Sequence, residues 1–263
     1  MPEDMTLPGN LVPAAPVAQP VEPRDAVTVV LLRDGSAGVE AFLLRRVKGM
    51  AFAGGMTVFP GGGVDSRDAD TSVAWAGPPP SWWGSVFGVD EGLARAFVCA
   101  AVRETFEESG VLLAGPSATT VVADASVYAE ARQALVDRDV SLAEFLASAG
   151  LVLRADLLRP WANWVTPHEE PRRYDTRFFV AALPTGQHAD GATTEASDAA
   201  WQTPAEAIQD AEEGRRMLMP PTWRTLDEIG ALGSVPAVMA AERSVSKIIP
   251  KLVRDGDVIR VVI

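Results

Sequence analysis

Cysteine and histidine are scarce in this sequence. Cys99 is the only cysteine among 263 residues, which excludes an intramolecular disulfide and favours a reducing, cytoplasmic setting. The two histidines, His168 and His188, have no second histidine at the spacing of a metal site, and no G-x-S-x-G motif marks a nucleophilic serine. The composition therefore argues against a histidine-based zinc site and against a serine hydrolase.

Long apolar runs and an excess of basic residues are also missing. The longest strongly apolar run, AVTVVLL at residues 26–32, is far shorter than the roughly 20 residues that cross a bilayer, so no membrane span is expected. The acidic start MPEDM does not resemble a secretory signal. Lys and Arg number 23 against 35 Asp and Glu, a formal net charge of −12, so a surface for duplex nucleic acid is not expected. An anionic substrate would need local arginines or a metal ion.

The chain divides into a proline-rich leader and one folded domain. Residues 1–24 show no periodic apolar pattern and are expected to be flexible, whereas residues 25–263 hold enough apolar residues for a single domain with a large core. The apolar runs at residues 26–33 and 39–46 predict a β-hairpin. The glycine-rich residues 49–63 follow, but they lack the lysine and hydroxyl residue that complete a phosphate-binding P-loop.

Further segments extend this core. Residues 69–92 form a predicted insertion, whose AGPPPSWWGS sequence indicates an irregular surface segment. Its tryptophan pair, Trp82 and Trp83, is expected to pack on the core, and stacking on an adenine or covering an acyl chain is the alternative. Helical additions are predicted at residues 117–155 and 203–243, and the first of them is either a lid over the substrate or a structural decoration. Strands are predicted at residues 161–166 and 176–183, a polar loop at residues 187–198 and a terminal strand or hairpin at residues 251–263.

The most acidic stretch closes a predicted helix. Apolar residues recur at helical spacing after Asp90, and Cys99 lies in this stripe, where it is expected to be a packing residue. RETFEESGV at residues 103–111 then supplies one arginine and three glutamates before Gly110 ends the helix. Because neighbouring carboxylates repel each other when no counter-charge is present, a cation is expected at this end of the helix.

The spacing of these charges indicates a metal site. On a helix, Glu104 lies three and four residues before Glu107 and Glu108, so the three carboxylates can converge on one face. Arg103 stands four residues before Glu107 and can bond it. Mg²⁺ takes a few oxygen ligands from the protein and the rest from water and substrate phosphate. A solvated acidic helix end is the alternative interpretation.

RETFEESGV resembles the second half of the Nudix box, G-x5-E-x7-R-E-U-x-E-E-x-G-U, in which U is a bulky apolar residue. FPGGGVDSRD at residues 59–68 is similar to the first half, with Gly62 as its leading glycine. Three features depart from the pattern: Asp68 replaces the expected glutamate, 34 residues separate it from Arg103 where the pattern has seven, and Thr105 fills an apolar position. The resemblance implies a Nudix α/β/α sandwich with a mixed sheet, an insertion within the box and extra helices.

An inserted box of this kind resembles the Nudix branch that includes peroxisomal acyl-CoA diphosphatases and their bacterial relatives, and the resemblance covers most of residues 26–232. The implied activity is metal-dependent hydrolysis of the pyrophosphate bond in a nucleoside diphosphate linked to a group X. CoA or acyl-CoA is the favoured substrate, and a nucleotide sugar, NADH or ADP-ribose is the alternative. A catalytically inactive nucleotide-binding module is the alternative from another class, and homodimerisation is left open.

The resemblance also implies roles for individual residues of the box. Glu107 and Glu108 would ligate Mg²⁺ or Mn²⁺, and Glu104 would be a further ligand or a water-activating base. Arg103 would orient these glutamates. A backbone carbonyl near Gly61 or Gly62 would complete the coordination.

Outside the box, many members of the family place another glutamate six residues before a tryptophan. Glu195 and Trp201 have this spacing, so Glu195 is a candidate general base or extra metal ligand, with an ordinary loop acid as the alternative. Arginines suit the remaining phosphate oxygens because of their fork geometry. The candidates for substrate binding are Arg45, Arg46 and Arg173, together with Gly61 and Gly62. A surface ion pair is the alternative role of each arginine.

Overall fold

The computed structural model describes residues 6–8, 21–47, 49, 53–255 and 258–263. In chain order the strands are β1 (Thr6–Pro8), β2 (Arg24–Gly35), β3 (Gly38–Arg46), β4 (Thr57–Val58), β5 (Gly61–Gly63), β6 (Trp75–Ala76), β7 (Ala114–Gly115), β8 (Val152–Arg154), β9 (Leu158–Val165), β10 (Tyr174–Ala182), β11 (Ala196–Gln202), β12 (Lys247–Ile248), β13 (Lys251–Asp255) and β14 (Val258–Val262). The helices are α1 (Pro80–Phe87), α2 (Glu91–Ser109), α3 (Ala129–Val136), α4 (Leu142–Ala149), α5 (Pro204–Glu212), α6 (Pro220–Leu232) and α7 (Val235–Ala240). None of the helices in these described ranges is long and apolar enough to cross a membrane.

A mixed eight-stranded sheet forms the centre of the fold. Its main strand order is β11-β3-β2-β10-β9-β12, with β4 added to β3 and β5 added to β2. Strand β2 runs parallel to β10 and antiparallel to β3. The predicted hairpin is therefore confirmed, and β2 can be apolar along most of its length because both of its faces are covered.

Helices cover both faces of this sheet. On one face, α1 and α2 share a core with strand side chains such as Val29 and Phe42, and α4 belongs to the same core. On the other face, α5, α6 and α7 pack on side chains such as Val30 and Leu43. Successive residues of a strand point to opposite faces, so β2 and β3 contribute to both cores. The expected α/β/α sandwich is confirmed.

Helix α2 has the predicted limits. The Asp90 carboxylate accepts a hydrogen bond from Leu93 N at 2.9 Å and caps the first turn. Gly110 ends the helix with a φ of 73°, in the left-handed region that a glycine adopts without a steric penalty. Cys99 is fully buried in the apolar core, as expected of a packing residue.

The insertion at residues 69–92 is more regular than predicted. It contains β6 and α1, so the prediction of an irregular surface segment is wrong for residues 80–87. Pro80 lies in the first turn of α1, where a backbone N–H has no partner within the helix, so the proline run begins the helix instead of breaking it. Trp83 is fully buried, as expected, whereas Trp82 remains 42% exposed.

Replacing Trp83 by phenylalanine is expected to lower the free energy of unfolding by about 2 kcal/mol, because the smaller ring leaves a cavity in the core. The Trp83 ring centroid lies 5.6 Å from that of Phe179 in β10 and 6.1 Å from that of Phe87. Urea unfolding measures the change. Trp82→Phe is the matched control, with an expected change below about 0.5 kcal/mol. Equal losses in the two variants would contradict the packing of α1 on the sheet.

Most of the helical additions agree with the sequence. Ser141 and Glu144 form the predicted capping box before α4, and Thr203 caps α5 as predicted. Strand β11 begins inside the predicted polar loop and was missed, because its polar sequence has no strand signal of its own. This strand forms by pairing antiparallel with β3 at the edge of the sheet.

The two ends of the described chain meet in a second, three-stranded sheet. Of the predicted terminal strand or hairpin, the structure has the hairpin, formed by β13 and β14, and β1 pairs with β14. The leader predicted at residues 1–24 lies mostly outside the described residues, and its Thr6–Pro8 segment is this first strand.

Candidate active site

The last turns of α2 lie against the glycine strand β5. Gly61 N donates a hydrogen bond to Glu108 Oε2 at 2.8 Å. Gly62 lies so close to Glu104 that a Cβ atom at this position would be 2.6 Å from both carboxylate oxygens. Strand β5 is held in place by antiparallel pairing with β2. The glycines therefore allow main-chain atoms to approach the glutamates, and a larger residue at Gly62 would displace the Glu104 carboxylate.

Arg103 is the centre of an ion-pair network at this end of the helix. Its Nε and Nη2 atoms each donate to an oxygen of Asp68 at 2.9 Å. Its Nη1 atom donates to Glu104 at 2.7 Å and to Glu107 at 3.3 Å, while Nη2 also donates to the Gly63 carbonyl at 3.0 Å. One guanidinium thus contacts two of the three box glutamates and both halves of the split box.

Asp68 is the residue that departs from the expected glutamate of the box. It is buried, and both of its oxygens accept hydrogen bonds from Arg103. Its Oδ2 atom also accepts from Asp65 N at 2.8 Å. These contacts make Asp68 a partner of the arginine rather than an open metal ligand. The long insertion leaves this pairing intact because the chain folds back to bring the two halves of the box together.

Glu104 and Glu108 are buried with too little positive charge nearby, and Glu107 is half-buried. Burial raises the pKa of Glu104 to about 7 and that of Glu108 to about 8, and the charge of Glu104 adds to the effect on Glu108. Burial also raises the pKa of Glu107, against the opposing effect of Arg103. Since an unpaired carboxylate is costly away from water, a divalent cation would stabilise this arrangement. The oxygen donors fit Mg²⁺ or Mn²⁺.

The carboxylates do not form a closed metal cage. Across the described ranges, no three Asp, Glu, His or Cys side chains are grouped as such a cage requires. Glu104 and Glu107 bond Arg103, whereas Glu108 faces Gly61. An open arrangement is compatible with Mg²⁺, which keeps several waters and often binds only one or two protein carboxylates.

Glu195 and Arg46 lie at the same site. Arg46 Nη2 donates to Glu195 Oε2 at 3.0 Å, and Val47 N donates to the Glu195 carbonyl at 3.0 Å. The negative charge of Glu195 contributes to the raised pKa of Glu108, and Arg46 opposes it, so both groups lie within electrostatic reach of that glutamate. The Glu195 side chain is 52% exposed and therefore accessible to water and substrate.

Arg45 and Arg173 lie elsewhere, so the prediction that they bind substrate beside the glutamates is revised. In β3, Leu44 packs on the face of the sheet that α2 covers. Its neighbours Leu43 and Arg45 point to the opposite face, because successive residues of a strand alternate. Arg173 is buried, with Nε donating to the Thr166 carbonyl at 3.0 Å and Nη1 to the Val21 carbonyl at 2.7 Å. These hydrogen bonds join two backbone segments, at Thr166 and at Val21, and give Arg173 a structural role.

Other arginines border the site without having been singled out in the sequence. Arg138 donates to Asp65 at 2.8 Å, and Arg67 donates to the Arg138 carbonyl at 3.2 Å. Arg132 Nε donates to the Glu107 carbonyl at 3.0 Å. Arg132 and Arg138 belong to the helical addition at residues 117–155, which carries no motif, so only their positive charge could have marked them.

The family model described as the NUDT19 Nudix domain matches residues 88–229, which is more than half of the chain. The chain belongs to the Nudix hydrolase family. The matched range includes the second half of the box but not the first. The family suggested by RETFEESGV and its branch are thereby confirmed, and Nudix hydrolases generally use divalent metal ions.

Named relatives and a solved structure agree with this assignment. The acyl-coenzyme A diphosphatase NUDT19 of Gallus gallus is 30% identical over 233 residues, covering 73% of this chain and 61% of the relative. The protein of the same name from Xenopus laevis is 24% identical over 233 residues, covering 75% and 61%. The chain thus spans about three fifths of the length of these curated relatives. The crystal structure of a NUDIX hydrolase from Alicyclobacillus acidocaldarius is 28% identical with a TM-score of 0.70, and the match covers 85% of this chain and 98% of that one.

Proposed function

We propose that this Nudix protein hydrolyses the pyrophosphate bond of a nucleoside diphosphate linked to a second group, with CoA or acyl-CoA as the favoured substrate. The observation that carries the proposal is the set of glutamates at the end of α2, of which Glu104 and Glu107 bond Arg103 and Glu108 bonds the glycine strand. Glu104 and Glu108 have raised pKa values because they are buried without enough counter-charge. A binding module that needed no metal would gain nothing from this costly arrangement.

We propose Mg²⁺ or Mn²⁺ as the cofactor, held by Glu104, Glu107 and Glu108 with a main-chain carbonyl near Gly62. When bound, the ion would neutralise negative charge on the pyrophosphate and make a nearby water more acidic. Arg103 holds two of the ligands through its hydrogen bonds to Glu104 and Glu107. To bind the ion, these two carboxylates would turn towards it by side-chain movement alone, because α2 keeps their backbone in place.

The proposed chemistry transfers one proton to a side chain of this protein. Glu195, oriented by Arg46, accepts a proton from the attacking water, whose oxygen forms a bond to one phosphorus atom. The bond between that phosphorus and the bridging oxygen breaks, and the bridging oxygen keeps the electron pair. Two phosphate monoesters result. Arg46 then contributes its positive charge to the phosphate oxygens, and Arg138, which bonds Asp65 and Arg67, lies within electrostatic reach of Glu107.

The choice of CoA or acyl-CoA is supported by the names of the relatives from Gallus gallus and Xenopus laevis. We extend this substrate class to the present chain as a proposal. We also propose a reducing, cytoplasmic setting, because Cys99, the only cysteine, is a free, buried thiol. A homodimer is a further proposal.

Incubation with Mg²⁺ or Mn²⁺ and a panel of CoA, acyl-CoA, NADH, ADP-ribose and a UDP-sugar is expected to give monophosphate products, with the highest kcat/KM for CoA or acyl-CoA.

Glu107→Gln is expected to lower this activity at least about 100-fold, because it removes a metal ligand. Glu91→Gln is the matched control, since Glu91 is exposed at the other end of the same helix.

The panel can contradict the proposal in two ways. Preferred turnover of NADH, ADP-ribose or the UDP-sugar would overturn the substrate class while keeping the reaction. If no compound is hydrolysed but one binds equally well to the wild type and to Glu107→Gln, the protein is a nucleotide-binding module and the enzyme proposal is wrong.

A further inference from the structure

Helix α3 of the helical addition reaches the active site through Arg132. Its Nε atom donates to the Glu107 carbonyl at 3.0 Å, and its Nη1 atom donates to Asp190 Oδ1 and Oδ2 at 2.8 and 2.9 Å. The Arg132 side chain is only 13% exposed. One side chain therefore joins three parts of the protein: the added helices, the end of α2 that carries the glutamates, and the loop that leads to Glu195.

The end of α2 is built to accept this side chain. The last four carbonyls of a helix have no partner within it, and positive charge is favourable beside them. Arg132 satisfies the Glu107 carbonyl, and Asp190 N donates to the Ser109 carbonyl at 2.9 Å. Gly110 has a φ of 73°, which favours glycine, and a Cβ atom here would lie 2.9 Å from Arg132 Nη1 and 3.0 Å from Asp190 Oδ2, so a larger residue would displace this ion pair.

The loop at residues 187–195 is fastened at both ends. At its start, the buried Gln187 side chain donates to the Leu112 and Val122 carbonyls at 3.0 and 2.7 Å. Asp190 then bonds Arg132 and also accepts from Ala192 N at 2.9 Å. At its end, Glu195 is held by Arg46 and Val47 of the β3 side. Asp190 is thus the last point at which the loop is tied to α2 before it reaches Glu195.

We propose that Arg132 is a positioning residue for catalysis: it fixes the Glu195 loop relative to the glutamates of α2, and the helical addition at residues 117–155 supplies it. The inference rests on the proposed function, in which Glu195 acts on the water that attacks a pyrophosphate. Arg132 itself touches no substrate. Misplacement of a catalytic group by about 1 Å can cost a large factor in rate. The clamp that Arg132 forms between Glu107 and Asp190 should therefore affect turnover more than substrate binding.

Hydrogen exchange tests the clamp without any assay of activity. In Arg132→Met, which keeps most of the packing volume and removes the charge, amides in residues 187–195 are expected to exchange about 10-fold faster, since local opening then requires less free energy. Exchange in α3 and in the central strands should stay unchanged. Arg224→Met, which breaks the exposed ion pair of Arg224 with Glu228 in α6, is the matched control. Arg132→Lys should restore part of the protection.

A double-mutant cycle tests the catalytic consequence. Arg132→Met is expected to lower kcat about 10-fold with KM nearly unchanged, but to lower it less than about 2-fold in a Glu195→Gln background. Unchanged exchange in residues 187–195, or the same fall in kcat with and without Glu195, would overturn the proposal. If the wild type hydrolyses nothing in the substrate panel, the proposed function fails, and the exchange experiment still decides whether Arg132 holds the loop.

Discussion

Glu108→Gln is expected to lower kcat by about 10³-fold while making the metal-free protein more stable. Removing one charged ligand of a metal that neutralises a pyrophosphate costs roughly 4 kcal/mol of transition-state stabilisation. The fold should persist, because the glutamine oxygen can still accept the hydrogen bond from Gly61 N. Stability should rise because the substitution removes a buried negative charge that lies beside Glu104.

The sign of the stability change follows from the pKa of Glu108, which burial raises from 4.5 to about 8. Below pH 4.5 the carboxyl is protonated in both the folded and the unfolded chain, so it has no ionisation cost. Above pH 8 it is ionised in both states, and the cost of keeping the charge buried is complete. At pH 9 and in the presence of a chelator, the Tm of Glu108→Gln should therefore exceed that of the wild type by roughly 2–5 °C.

Addition of Mn²⁺ should reverse this order. A ligand that binds only the folded state raises Tm by mass action, so the wild type should gain stability from the metal and Glu108→Gln should gain much less. Glu91→Gln is again the control, because its carboxylate is exposed. A variant that keeps its turnover, or that is stabilised by Mn²⁺ as strongly as the wild type, would remove Glu108 from the metal site.

The parts of the fold that could be predicted are those specified by residues close together in sequence. Helix α2 is marked by the Asp90 cap, an apolar stripe and Gly110, and the hairpin is marked by two apolar runs around a turn. The box glutamates could be found for the same reason, since three carboxylates within one turn and a half must lie near each other. Local patterns therefore predicted the part of the site that lies on α2.

The remainder depends on contacts between distant segments. Strand β11 is polar and forms because β3 offers an open edge, and Arg132 has no motif but meets Glu107 through the packing of α3 on α2. The face to which Arg45 points depends on the register of a strand, where a shift of one residue reverses every side chain. Helix α1 was missed because a proline run was taken as irregular, although Pro80 suits a first helical turn.

Arg103→Met is expected to lower the free energy of unfolding by about 3–5 kcal/mol, the usual cost of leaving a buried charge without its partner. Asp68 would lose both hydrogen bonds from the guanidinium while its side chain stays 1% exposed. Glu104 and Glu107 would lose their shared donor as well. Urea unfolding of the metal-free protein at pH 8 measures the loss, with Arg224→Met as the control for removing an arginine from an exposed ion pair.

The companion variant Asp68→Asn separates the ion pair from simple packing. Alone, it should cost less than Arg103→Met, because Arg103 retains two carboxylates and the asparagine can still accept from Asp65 N. Combined with Arg103→Met, it should recover at least about 1 kcal/mol, because the charge left unpaired by the arginine substitution is gone. Additive losses in the double variant would show that the two halves of the split box are not coupled through this pair. Recovery would instead mean that the aspartate in place of the expected glutamate belongs with Arg103, and that the pair allows a long insertion between the two halves without separating them.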